Sequence, residues 1–162
     1  MRRLLLALAL VLTFAGPADA GTHAGKAEIE SFLLSDSSGV SPRVKATIRD
    51  GRLHAGIDRI LFKDLTGDGN PEDIVTVFSG GTAGDIAFYV LTGEGSGLHF
   101  IKASNQEYKI GVKVVAGQLQ VTRPLYRASD PNCCPAHLEI TTYRYDGVRL
   151  VSASKKRIRT PG

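Results

Sequence analysis

The stretch "DIVTVFSGGTAGDIAFYVLT", Asp73 to Thr92, decides the fold. Its two halves, "DIVTVFS" and "DIAFYVLT", are short, apolar and rich in β-branched and aromatic residues, which marks them as strands. "SGGTAGD", Ser79 to Asp85, lies between them as a glycine-rich strand connection. The same texture continues on both sides. "RVKATIRD", "IDRILFKD", "LHFIKAS", "YKIGVKVV", "QLQVTRPLY", "HLEITTYRY" and "VRLVSAS" all alternate or carry β-branched residues, and each is expected to be a strand. Turn chemistry at Asp50-Gly51, Gly93 to Gly97, Ala116-Gly117 and Asp146-Gly147 places tight reversals between them. Consecutive antiparallel hairpins follow as the simplest topology.

Ahead of this run, Ile29, Phe32 and Leu33 recur at helical spacing with Glu28 and Glu30 between them. One amphipathic helix is predicted from Lys26 to Leu34, stopped by "SDSSG". The expected fold class is α+β, mainly β: one N-terminal helix packed on a mostly antiparallel sheet of consecutive hairpins. No composition shift or long linker divides the chain, and no repeat recurs, so residues 21–162 read as a single domain large enough for its own core.

Residues 1–20, "MRRLLLALALVLTFAGPADA", combine Arg2 and Arg3, an apolar run and the small-residue ending Ala18-Asp19-Ala20. This is the pattern of a secretory signal peptide, and a periplasmic or secreted protein is expected after cleavage. The apolar run is shorter than a membrane span, and Gly21 stands where a lipid-modified cysteine would follow the cut. Of the 162 residues, 20 are Lys or Arg and 16 are Asp or Glu, with both signs interspersed. Only "KKRIR", Lys155 to Arg159, concentrates positive charge, and it reads as a solvated strand. No nucleic-acid partner is expected.

Two loops carry the remaining chemistry. In "DLTGDGNPED", side-chain oxygens stand at alternate positions on Asp64, Thr66, Asp68, Asn70 and Glu72, with Gly69 at the sharp point of the turn. Calcium takes six to eight oxygens, and such spacing can supply several at once. Val75 stands where an EF-hand needs its bidentate glutamate, and the flanks are strand-like. The loop resembles the strand-loop-strand calcium motif of FG-GAP and integrin-type repeats, departing from it at Thr66. That resemblance implies calcium on these five residues, bound weakly, in the range of roughly 0.1 to 1 mM. The other reading is a turn in which Asp64 and Asp68 accept backbone N–H bonds.

The second loop, "DPNCCPAH", holds the two cysteines, Cys133 and Cys134, side by side. An oxidising compartment favours their oxidation, and a bond between neighbours closes a strained ring that is easily reduced. A ring, bonds to other chains and buried free thiols all remain open. Zinc through Cys134 and His137 lacks two further ligands in any local pattern.

Taken in order, "DLTGDGNPEDIV", "DPNCCPAH" and "YRYDGVRLV" resemble the LppP/LprE-type family of small bacterial exported proteins and lipoproteins, over about Ile57 to Val151. The resemblance implies the compartment and a β-rich fold. It implies no chemistry, because that family has no assigned activity; it points to Asp64, Asp68, Glu72, Cys133 and Cys134 as the surface to inspect. No G-x-S-x-G or phosphate loop is present. The expected function is a non-catalytic, exported binding or envelope-associated domain, calcium-stabilised at most, whose partner is a protein or a cell-envelope component. The alternative is a thiol-disulfide protein acting through Cys133 and Cys134.

Overall fold

The computed structural model describes residues 23–160. The expected signal peptide, residues 1–20, lies outside them. Helix α1, Lys26–Leu34, forms as predicted and buries Ile29 and Leu33. A second helix, α2, spans Pro42–Asp50. Its segment, "RVKATIRD", was expected to be a strand. Val44, Ala46 and Ile48 do alternate, but Val44 and Ile48 are also one helical turn apart, and the ends settle the matter. Ser41 caps the N-terminus by accepting from Val44 N, Pro42 opens the first turn, and Gly51 closes the helix at φ 61°. Asp50-Gly51 is therefore a helix stop and not a hairpin.

Eight strands follow: β1 Gly56–Lys63, β2 Glu72–Phe78, β3 Asp85–Thr92, β4 His99–Ser104, β5 Gly111–Val115, β6 Gln118–Leu125, β7 His137–Tyr145 and β8 Leu150–Arg159. They form two antiparallel four-stranded sheets, ordered β1-β2-β3-β4 and β5-β6-β7-β8. This corrects the expected single sheet under a single helix. Neighbours in the chain are neighbours in each sheet, as consecutive hairpins require, but the pairing breaks between β4 and β5. There the chain leaves the sheet: Glu107 N, Lys109 N and Ile110 N donate to Ile86, Ala83 and Asp85 carbonyls at and just before the start of β3. Alternation of side chains could not reveal this break, because both sheets have the same period.

The layers are helices, first sheet, second sheet. Val75 and Val77 of β2 with Ala87, Tyr89 and Leu91 of β3 pack under α1 and α2. Their alternates, Ile74, Phe88 and Val90, face Val112, Leu119, Val121 and Tyr143 of the second sheet. The central strands β2 and β3 are thus buried on both faces, which is why "DIVTVF" and "DIAFYVL" are apolar without a polar side. Each fully buried large side chain in these two cores contributes about 1.5–3 kcal/mol by leaving water.

Candidate functional site

The acidic loop joins β1 to β2, and its carboxylates are turned onto its own backbone. Asp64 accepts from Gly67 N at 2.6 Å and Gly69 N at 3.0 Å, and Asp68 accepts from Asn70 N at 2.8 Å. Glu72, the first residue of β2, is wholly buried. It accepts from Leu65 N at 2.6 Å and Thr66 N at 3.2 Å, and from the Thr66 and Thr92 hydroxyls at 3.2 and 3.5 Å. Burial raises the Glu72 pKa against the pull of these donors. Gly67 and Gly69 adopt φ of 82° and 90°, which L side chains avoid, so the glycines are needed for the turn.

Of the five expected ligands, the loop brings Thr66 and Glu72 into contact, whereas Asp64 and Asp68 bond to separate backbone groups and Asn70 lends its N–H to Asp68. Among the described residues, no three His, Cys, Asp or Glu side chains gather as a cation shell. The carboxylates of the loop are engaged by backbone N–H groups of the turn.

Next to Glu72, Asp73 turns to the other face of β2. It is 2% exposed; one carboxylate oxygen accepts from Ala24 N at 3.2 Å and the other has no partner among the described residues. Burial pushes its pKa up to about 6.

Cys133 and Cys134 are joined to each other, with Cα atoms 3.8 Å apart, and both lie exposed on the loop between β6 and β7. Asp130 shapes that loop by accepting from Arg127 N at 2.8 Å and Ala136 N at 2.7 Å. Asn132, just before the pair, is the fastening point. Its carbonyl accepts from Lys109 Nζ at 2.5 Å and Tyr126 OH at 2.9 Å, and its side chain meets Tyr108 OH. Since both sulfurs are committed to one another, Cys134 and His137 form no metal pair here.

The tethered loop borders a cleft that sequence reasoning missed. About 660 Å³ opens where the start of α2, the β4–β5 crossing and the end of β6 meet, lined by Arg43, Ile86, Asn105, Tyr108, Arg123 and Leu125 among others. Asn105 locks the wall: its Oδ1 accepts from Ser41 N at 3.0 Å and Tyr89 OH at 2.6 Å, while Nδ2 donates to Gly39 O at 3.3 Å. Arg123 is held by Glu107 through two bonds of 2.8 and 2.5 Å. Arg43 projects from an exposed position with its charge uncompensated by an ion pair among the described residues. The residues come from distant parts of the chain, so no local motif could have signalled the cleft.

Compared with known proteins, the chain is 25% identical over 153 residues to Lipoprotein CseA of Streptomyces avermitilis, covering 86% of this chain and 70% of that protein. No protein-family model matches the chain, and no solved structure matches it. The likeness supports a lipoprotein-type family and nothing finer; the LppP/LprE-type and FG-GAP resemblances of the two loops are not shown by it.

Proposed function

We propose that this chain is an exported, envelope-associated binding domain that holds its partner in the cleft between α2, the β4–β5 crossing and β6. The observation that carries this reading is the cleft itself. It has the volume of a ligand site, an apolar lining with a few fixed polar groups, and walls set by the Asn105 and Arg123–Glu107 bonds. Similarity to a protein named as a lipoprotein supports the envelope association, and the leader-like residues 1–20 support export.

The test is fractionation of cells producing the full chain, beside the variant Arg43→Glu with Leu125→Glu. The chain is expected in the envelope fraction, and the variant, folded with an unchanged melting temperature, in the soluble fraction. Envelope retention of the variant would end the cleft reading.

A second reading, a thiol-disulfide protein, is supported by the exposure of the Cys133–Cys134 bond. A reduction potential below about −300 mV would place the pair in the structural range and remove it. Calcium on the acidic loop has only the oxygen spacing in its favour and is not part of either reading.

A further inference from the structure

Each sheet ends in an open strand. β4 closes the order of the first sheet and β8 that of the second, and no backbone hydrogen bond links the two. Between them lies a second groove, of about 520 Å³, walled by residues 100–103 of β4 and, on the other side, by Arg149 just before β8 and residues 150–152 of β8. Successive residues of a strand point to opposite faces. A groove lined by consecutive residues of both strands is therefore bounded by their edges, where backbone N–H and C=O groups lack a ladder partner.

The charge of this groove has one sign. Lys102 and Arg149 line it, and no carboxylate does. Neither makes an ion pair among the described residues. Lys102 is half-buried, with its ammonium 4.9 Å from the centre of the Tyr143 ring. Burial, Arg123 and Arg149 all lower its pKa, against a smaller opposing pull from Glu107, so a bound anion would relieve crowded positive charge. Farther along β8, Lys155, Lys156, Arg157 and Arg159 continue the basic character; one weak contact, Lys155 to Glu139 at 3.9 Å, offsets it.

We propose that the groove between β4 and β8 binds an acidic segment of a protein partner in extended form, its backbone pairing with a strand edge and its carboxylates meeting Lys102 and Arg149. Edge pairing supplies main-chain hydrogen bonds, and the cations select the sequence. This site is distinct from the cleft beside α2 and shares no lining residue with it.

The test is fluorescence anisotropy of a labelled hexaglutamate peptide against the purified domain. Saturable binding below about 1 mM is expected, weakened about tenfold or more by Lys102→Gln with Arg149→Gln. Methylating alternate peptide nitrogens should weaken it as well, and hexaglutamine should not bind. Arg149→Gln alone, at an exposed side chain, serves if the double variant unfolds. The proposal is overturned by an absence of binding, by undiminished binding to the variants, or by equal binding of hexaglutamine. Full binding of the methylated peptide would equally overturn it, because a cationic surface without edge pairing would then suffice.

Discussion

At Asp73 a carboxyl sits in the core with one oxygen unpartnered among the described residues, near the charges of His23, Glu28 and Glu72. Its folded pKa, about 6, lies above the unfolded value of about 3.9, so the folded state binds its proton more tightly. Its contribution to stability is therefore greatest below pH 4 and is lost as pH rises to about 6. Asp73→Asn is expected to raise stability at pH 7 by about 2 kcal/mol and to flatten the pH dependence between those values, read from urea melts across pH. Glu72 predicts the opposite. Glu72→Ala strands the Leu65 and Thr66 N–H groups in a buried site and should cost roughly 2–4 kcal/mol. The loss should be the same in millimolar calcium and in chelator, since the carboxylate serves the turn; a calcium-dependent melting temperature lost in the variant would reassign it to a metal. The adjacency of Glu72 and Asp73 on opposite faces of a strand was legible in the sequence. Their burial was not, because it depends on layers contributed by residues far away.

Among the elements, α2 shows how a period can mislead. Val44-x-Ala46-x-Ile48 satisfies a strand as well as a helix, and the decision rests on Ser41, Pro42 and Gly51 at the ends. Ser41→Ala should destabilise the domain by about 1 kcal/mol in chemical denaturation, through loss of the cap. The eight other segments read as strands are strands, and α1 has its predicted bounds, because their patterns had no equally good helical alternative. The β6–β7 loop carries a different expectation. A bond between residues one apart closes almost no chain, so it removes little entropy from the unfolded state. Mild reduction of Cys133–Cys134 should leave the melting temperature within about 2 °C, since Asp130 and Asn132 hold the loop by other means.

For the whole molecule, the division into two sheets was the feature least legible beforehand: alternation specifies which face is apolar, not which strands pair. The middle position of the first sheet links the two cores. Leu33→Ala in the helix-side core and Phe88→Ala between the sheets are expected to cost about 2–5 and 3–5 kcal/mol respectively. Calorimetry should give a single transition for each, because β2 and β3 belong to both cores; two resolved transitions would show the layers to be independent. The neighbour-to-neighbour pairing within each sheet also bears on how the chain acquires its shape. Within each sheet every strand after the first finds its partner just upstream, so the sequence separation of sheet contacts is short and ordering is quick. A chain paid out through a narrow channel with its amino end leading would have α1, α2 and β1 to β4 in hand by Ser104, before β5 emerges at Gly111. The second sheet would then close over a surface already in place, and order of arrival alone would keep the strands from being mismatched.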